Sequence, residues 1–133
     1  MVPGANTKRQ SDAPPARPAC MATEPIAWLD NDERTPCIGC GPHNAAGLRL
    51  RFARRPDGRG ASAEWTPDAA WQGFPGNVHS AGLYLALIET MNWSLYAHTG
   101  GTGLPTRTAA LDMRRRVAIG ETLVLRGQVV SLE

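Results

Sequence analysis

The sequence predicts an α+β fold in which an antiparallel sheet wraps around one long central helix. Three observations predict it. Two stretches before Pro67 alternate apolar with polar residues, as half-buried strands do. A run from Val78 to about Ala97 has no proline and is apolar on every side. Two more strand-like stretches follow, at 106–117 and 121–132. With 133 residues there is room for one domain.

Residues 1–25 hold five prolines (Pro3, Pro14, Pro15, Pro18 and Pro25) and almost no large apolar side chains. Such a segment buries too little surface to offset its ordering entropy, so disorder is expected. Met21 is an alternative start. Residues 26–35 are acidic, and Trp28 with Leu29 suits a short docking helix. Residues 1–35 therefore read as a Pro-rich tail and 36–133 as the domain. In the domain Leu48, Leu50 and Phe52 alternate with Arg49 and Arg51, the pattern of a first strand. Arg55-Pro56-Asp57-Gly58 is a turn. Ala61, Ala63 and Trp65 form a second strand, and the two make an antiparallel hairpin. Residues 66–77 are a Gly/Pro-punctuated loop.

The helix from Val78 is expected to be about 30 Å long. A helix apolar all round is buried on most faces. Gly100-Gly101-Thr102-Gly103 ends it, and Ile119-Gly120 turns between the last two strands. The sequence ends still in strand pattern, at Val129, Val130 and Leu132. Missing C-terminal strands, or an edge covered by a partner subunit, are expected.

Composition excludes several classes. Fourteen basic and 12 acidic residues give a net charge of +2, too balanced for a dedicated nucleic-acid binder. No apolar run is long enough to span a membrane, and the N-terminus lacks the apolar core of a secretory signal. Three cysteines, two of them spaced Cys37-x-x-Cys40, do not make a disulfide scaffold, so a reducing cytoplasm is the expected location. Lys8 is the one lysine among the basic residues, which carries no functional content.

Glu89 stands apart. Between Asp68 and Arg107 it is the one charged residue, and it lies mid-helix beside Ile88 and Met91. A carboxylate there is costly unless paired or used in chemistry. It is either a catalytic group or a structural carboxylate, for example paired with an arginine from the sheet. The helix start, Asn77-Val78-His79-Ser80-Ala81-Gly82, presents unpaired amides with the helix dipole behind them. Small residues let a ligand atom approach, which suits polarising a carbonyl. The alternative is an ordinary N-terminus capped by Asn77 or Ser80. His79 and Ser80 are not a nucleophile pair, because sequence neighbours on a helix do not face each other.

Cys37 and Cys40 look like half a zinc knuckle, but a structural zinc takes four ligands. Cys20 and His43 are the remaining recruits, and no metal is expected. Arg114-Arg115-Arg116 is either a solvated sheet edge or a clamp for a phosphorylated carrier such as coenzyme A. Trp71, Trp93 and Tyr96 are expected to be packing residues.

Three stretches, CIGCGPHNAAGLRLRF (37–52), WQGFPGNVHSAGLYLALIETMNW (71–93) and TRTAALDMRRRVAIGETLVLRGQVV (106–130), resemble the hotdog-fold acyl-CoA thioesterase superfamily, in particular its phenylacetate-pathway-like branch. The resemblance implies a hotdog fold, a homodimer or dimer of dimers (homotetramer), and a site between subunits. It implies hydrolysis of a small or medium acyl-CoA without metal or cofactor. Amides of Ser80 and Ala81, beside His79, would polarise the thioester carbonyl. Glu89 would be general base or nucleophile. Asn77, Gly82, Arg114, Arg115 and Arg116 would bind substrate. The family's His-Gly-Gly is His79-Ser80-Ala81 here, and Ile88 takes the usual carboxylate position. Two alternatives stand beside this reading: a non-catalytic hotdog module that binds an acyl thioester or a protein, and a zinc-stabilised binding domain.

Overall fold

The computed structural model describes residues 25–101, 106 and 108–132. The disorder expected of residues 1–25, and Cys20 with it, lies outside the described residues apart from Pro25.

Strand β1, Ala53–Arg54, pairs antiparallel with β2, Ala61–Trp65, placing Ala53 opposite Ser62. The expected hairpin therefore forms, but its first arm is short. Leu48, Leu50 and Phe52 are buried, as the alternation requires. Their backbone, however, pairs with the lead-in loop: Leu48 N–H donates to Ile38 O and Leu50 N–H to Gly39 O. Arg49 sits in the left-handed region at φ 53°, which breaks the extended run. The anticipated strand at 48–52 is thus a kinked, buried segment.

Residues 27–29 form no helix. Leu29 N–H donates to Phe52 O, Arg54 N–H donates to Ala27 O, and Trp28 bridges Ala53 antiparallel. The Arg51 guanidinium lies 4.1 Å over the Trp28 ring. This acidic stretch has no helical partner face, while the β1 edge offers unpaired amides and carbonyls.

The loop after β2 holds one 3-10 turn, Ala69–Trp71, capped by the Asp68 side chain. Helix α1 then runs Ser80–Thr99, two residues later than Val78. Its N-cap is His79, neither Asn77 nor Ser80: His79 Nδ1 accepts the Ala81 N–H at 3.0 Å. Gly100, at φ 72°, closes the other end by donating to Tyr96 O.

Small residues face the sheet. Gly82, Ala86, Thr90, Ser94 and Ala97 recur about every fourth position and are the buried residues of α1. They let the helix lie close against Ala61 and Ala63. The hydroxyls among them are satisfied: Thr90 donates to Ala86 O and Ser94 to Thr90 O, each at 2.7 Å. Ser94 Oγ also accepts the Ala61 N–H at 3.1 Å, tying helix to sheet. Phe52 stacks on Trp93, whose edge meets Tyr96, and Trp65 meets Trp71 edge-on, so these aromatics are packing residues.

Strand β3, Leu123–Arg126, completes a sheet of order β1-β2-β3 among the described residues, with Ala63 opposite Leu125. Pairing continues past it, since Gly127 N–H reaches Ala61 O and Val129 N–H reaches Arg59 O. The expected strand at 106–117 is absent among the described residues, and 108–116 is exposed. A strand needs a neighbouring backbone, and here this stretch meets none until Val117 O accepts from Val78 N–H. The Ile119-Gly120 turn is present, with Gly120 at φ 82°.

The long helix is not buried on most faces within this chain. Tyr84, Leu87 and Met91 are 41%, 38% and 48% exposed, and they share one face. No helix among the described residues is long and apolar enough to cross a membrane.

Candidate active site

The start of α1 is held from two sides. His79 N–H donates to Trp71 O at 2.7 Å, and Val78 N–H donates to Val117 O at 2.9 Å. Asn77 bridges Ala118, and Ile119 N–H reaches Gly76 O. The residue-72-to-77 loop and the stretch 113–117 therefore converge on the helix N-terminus. Between them opens a cavity of about 760 Å³ lined by Phe74, Asn77, His79, Ser80, Leu83 and Met113–Val117.

Most of the substrate-facing expectations meet here. Asn77, His79, Ser80, Arg114, Arg115 and Arg116 all line the cavity. Two do not. Gly82 is buried against the tryptophans: a Cβ there would stand 2.9 Å from Trp71 Cε3. Its smallness serves packing. Ala81 is absent from the lining, and its amide is taken by His79 Nδ1. Among the described residues the Ser80 N–H donates to no protein acceptor. Because Nδ1 accepts a backbone N–H, Nε2 is the donor atom of the His79 ring. Polarising donors at this end are therefore the Ser80 amide and His79 Nε2–H.

The three arginines are not equivalent, and they lie on an exposed segment rather than a sheet edge. Arg115 is engaged with both carboxylate oxygens of Glu121, at 2.6 and 3.2 Å. That contact raises the Arg115 pKa and lowers that of Glu121. Arg116 lies 5.7 Å over the Phe74 ring, and Arg114 pairs with exposed Asp112.

Glu89 is elsewhere. Ten residues of helix separate it from His79, about 15 Å along the axis. It is half-buried against the lead-in loop. Trp93 Nε1–H donates to its Oε1 at 3.2 Å, and the Cys37 thiol donates to the same atom at 3.6 Å. Among the described residues no arginine pairs with it. Burial first, then the neighbouring Glu89 carboxylate, pushes the Cys40 thiol above its ordinary range. Ile88 faces a separate gap, with Tyr84, Met91 and Leu111. The Trp93 contact was readable from spacing, since i and i+4 meet on a helix. The Cys37 contact was not, because it spans 52 residues.

No protein-family model and no curated protein matches the chain. A solved structure described as a thioesterase superfamily protein is similar, with a TM-score of 0.66 at 26% identity. The alignment covers 74% of this chain and 47% of that one, so the chain spans about half the length of that protein. One long helix against an antiparallel sheet, reached through a kinked N-terminal lead-in, is thus an α+β hotdog arrangement, the fold of the thioesterase superfamily.

Proposed function

We propose that this chain binds an acyl-CoA thioester of small or medium acyl length at the N-terminus of α1 and hydrolyses it in the cytoplasm. The supporting observation is the cavity itself. It brings the Ser80 amide and the His79 ring together with Arg114 and Arg116, beside apolar Phe74, Leu83 and Met113. The apolar side suits an acyl chain and the arginines suit CoA phosphates. Donors at the helix start stabilise negative charge on the carbonyl oxygen as water adds. The C–S bond then breaks, and the acid and the CoA thiol leave.

Among the described residues the cavity lining contains no carboxylate. Glu89 therefore acts as base only on a thioester held by another copy of the chain, and the proposed assembly is a homodimer or dimer of dimers with the site between subunits. The same absence favours a second reading, a module that binds the thioester without cleaving it.

Kinetics of arginine variants test the binding mode. Arg114→Ala and Arg116→Ala should each raise KM for acyl-CoA about tenfold or more, the worth of one charge-assisted hydrogen bond. KM for an acyl-N-acetylcysteamine thioester, which lacks the phosphates, should not change. Equal effects on both substrates would contradict a phosphate clamp. Glu89→Gln separates the roles of Glu89: turnover abolished with melting unchanged assigns it as the base, and turnover retained removes it from the chemistry.

A further inference from the structure

The lead-in loop folds as a knuckle around one sulfur. Gly39 N–H and Cys40 N–H both donate to Cys37 Sγ, at 3.3 and 3.4 Å, and Gly41 N–H closes the turn onto Cys37 O. Helix α1 brings a carboxylate to the same place. Single ligand atoms of Cys37, Cys40 and Glu89 all lie within 4.8 Å of one another. The site is built to receive that carboxylate. A Cβ on Gly39 would stand 2.6 Å from Glu89 Cδ, and a Cβ on Gly41 would strike the Cys37 and Thr35 carbonyls.

We propose that Cys37, Cys40 and Glu89 bind one zinc-class divalent cation that pins the lead-in loop to the middle of α1. This goes beyond the thioester reading and does not rest on it; a Glu89 carboxylate on the cation is not free to take a proton from water, so Glu89 acts as base only in the metal-free protein. The expectation of no metal rested on missing ligands, and the fold supplies the third from a residue 52 positions away. Zinc bonds of about 2.3 Å to sulfur and 2.0 Å to oxygen set a tetrahedral S···O edge of about 3.5 Å. Cys37 Sγ and Glu89 Oε1 already stand 3.6 Å apart. Two sulfurs and one carboxylate are a borderline-soft set suited to zinc, and three protein ligands leave the fourth position to water, the open arrangement rather than the four-protein-ligand set of a closed zinc knuckle. The Trp93 indole N–H on Glu89 Oε1 and Asn31 Nδ2–H on Cys40 O hold the ligands in place. On binding, both thiols give up their protons and two metal–sulfur bonds and one metal–oxygen bond form, so two protons leave per cation.

Cobalt titration of the reduced protein tests this. The expected result is a near-ultraviolet thiolate-to-cobalt absorption that saturates at one cobalt per chain. Zinc should bleach it, and two protons should be released per metal. Cys37→Ser and Cys40→Ser should each lose the band. Glu89→Gln should keep it but bind about tenfold or more weakly, with circular dichroism confirming an intact helix. No absorption in the wild type would overturn the proposal. So would unchanged affinity in Glu89→Gln. The wild-type titration stands even if a variant fails to fold, and thioester turnover plays no part in it.

Discussion

Gly39 has no side chain because Glu89 occupies the space one would need: a Cβ there would stand 2.6 Å from the carboxyl carbon and 2.7 Å from Oε2. Glu89 cannot swing aside freely, being held by Trp93 and Cys37. Gly39→Ala should therefore cost about 1–3 kcal/mol of stability, the usual cost of overpacking. Chemical denaturation reads this. In the background of Glu89→Ala, which vacates the space, the same change should cost much less. Additive effects of the two substitutions would show that they do not share the space.

Ser94 joins α1 to β2 through one hydroxyl. It accepts the Ala61 N–H, and Ala61 is fully buried. Ser94→Ala removes the acceptor and leaves a buried donor unpaired. The expected loss is about 1–3 kcal/mol, measured as a lower denaturant midpoint with an unchanged slope. A cost near zero would mean that the backbone finds another partner.

Stability should fall in acid. The Glu121 carboxyl is held below its ordinary range, first by hydrogen bonds from Arg115 and then by the Ala118 amide. The Asp57 carboxyl is lowered too, first by the Arg59 amide and then by Arg55. A group whose folded pKa lies below its unfolded one contributes fully above the unfolded value, and the contribution is lost as pH falls through the folded one. Melting temperature should thus be flat near neutrality and decline below about pH 4.5, where carboxylates protonate. Glu121→Gln should remove part of that decline. An unaltered slope in Glu121→Gln would contradict its role.

The extent to which the sequence disclosed this structure differs by element. The Ala61–Trp65 alternation was legible because burial on one face leaves a period in the residues, and the long helix because about 20 residues run without proline and are apolar on every side. The kink at Arg49 was not, since nothing in the side-chain pattern reports a positive φ at an arginine. The stretch 106–117 reads as a strand yet, among the described residues, meets no backbone partner before Val117, and pairing is a property of neighbours rather than of the segment. In the site, the arginines and His79 were legible as residue types near a helix start. That Ala81's amide is consumed by His79, and that Glu89 turns toward Cys37, depends on rotamers and on a distant loop.

The exposed face of α1 predicts self-association. Tyr84, Leu87 and Met91 are large, apolar and more than a third exposed, with Leu111, Met113 and Val124 exposed nearby. Patches of this kind mark interaction surfaces. Sedimentation at micromolar concentration should show a dimer or tetramer. Leu87→Glu with Met91→Glu should yield monomer or aggregate. A wild-type monomer, stable and compact, would contradict the proposed assembly.

The central claim is that the cavity at the start of α1 holds and cleaves an acyl thioester. Release of free CoA by purified wild-type protein, across acyl chains from acetyl to decanoyl, tests it most directly. The account predicts saturable turnover with a preference within the small-to-medium range, and loss of about 10²–10³ in kcat for a His79→Ala variant that removes both the cap and the Nε2–H donor. No CoA release from any chain length would contradict it.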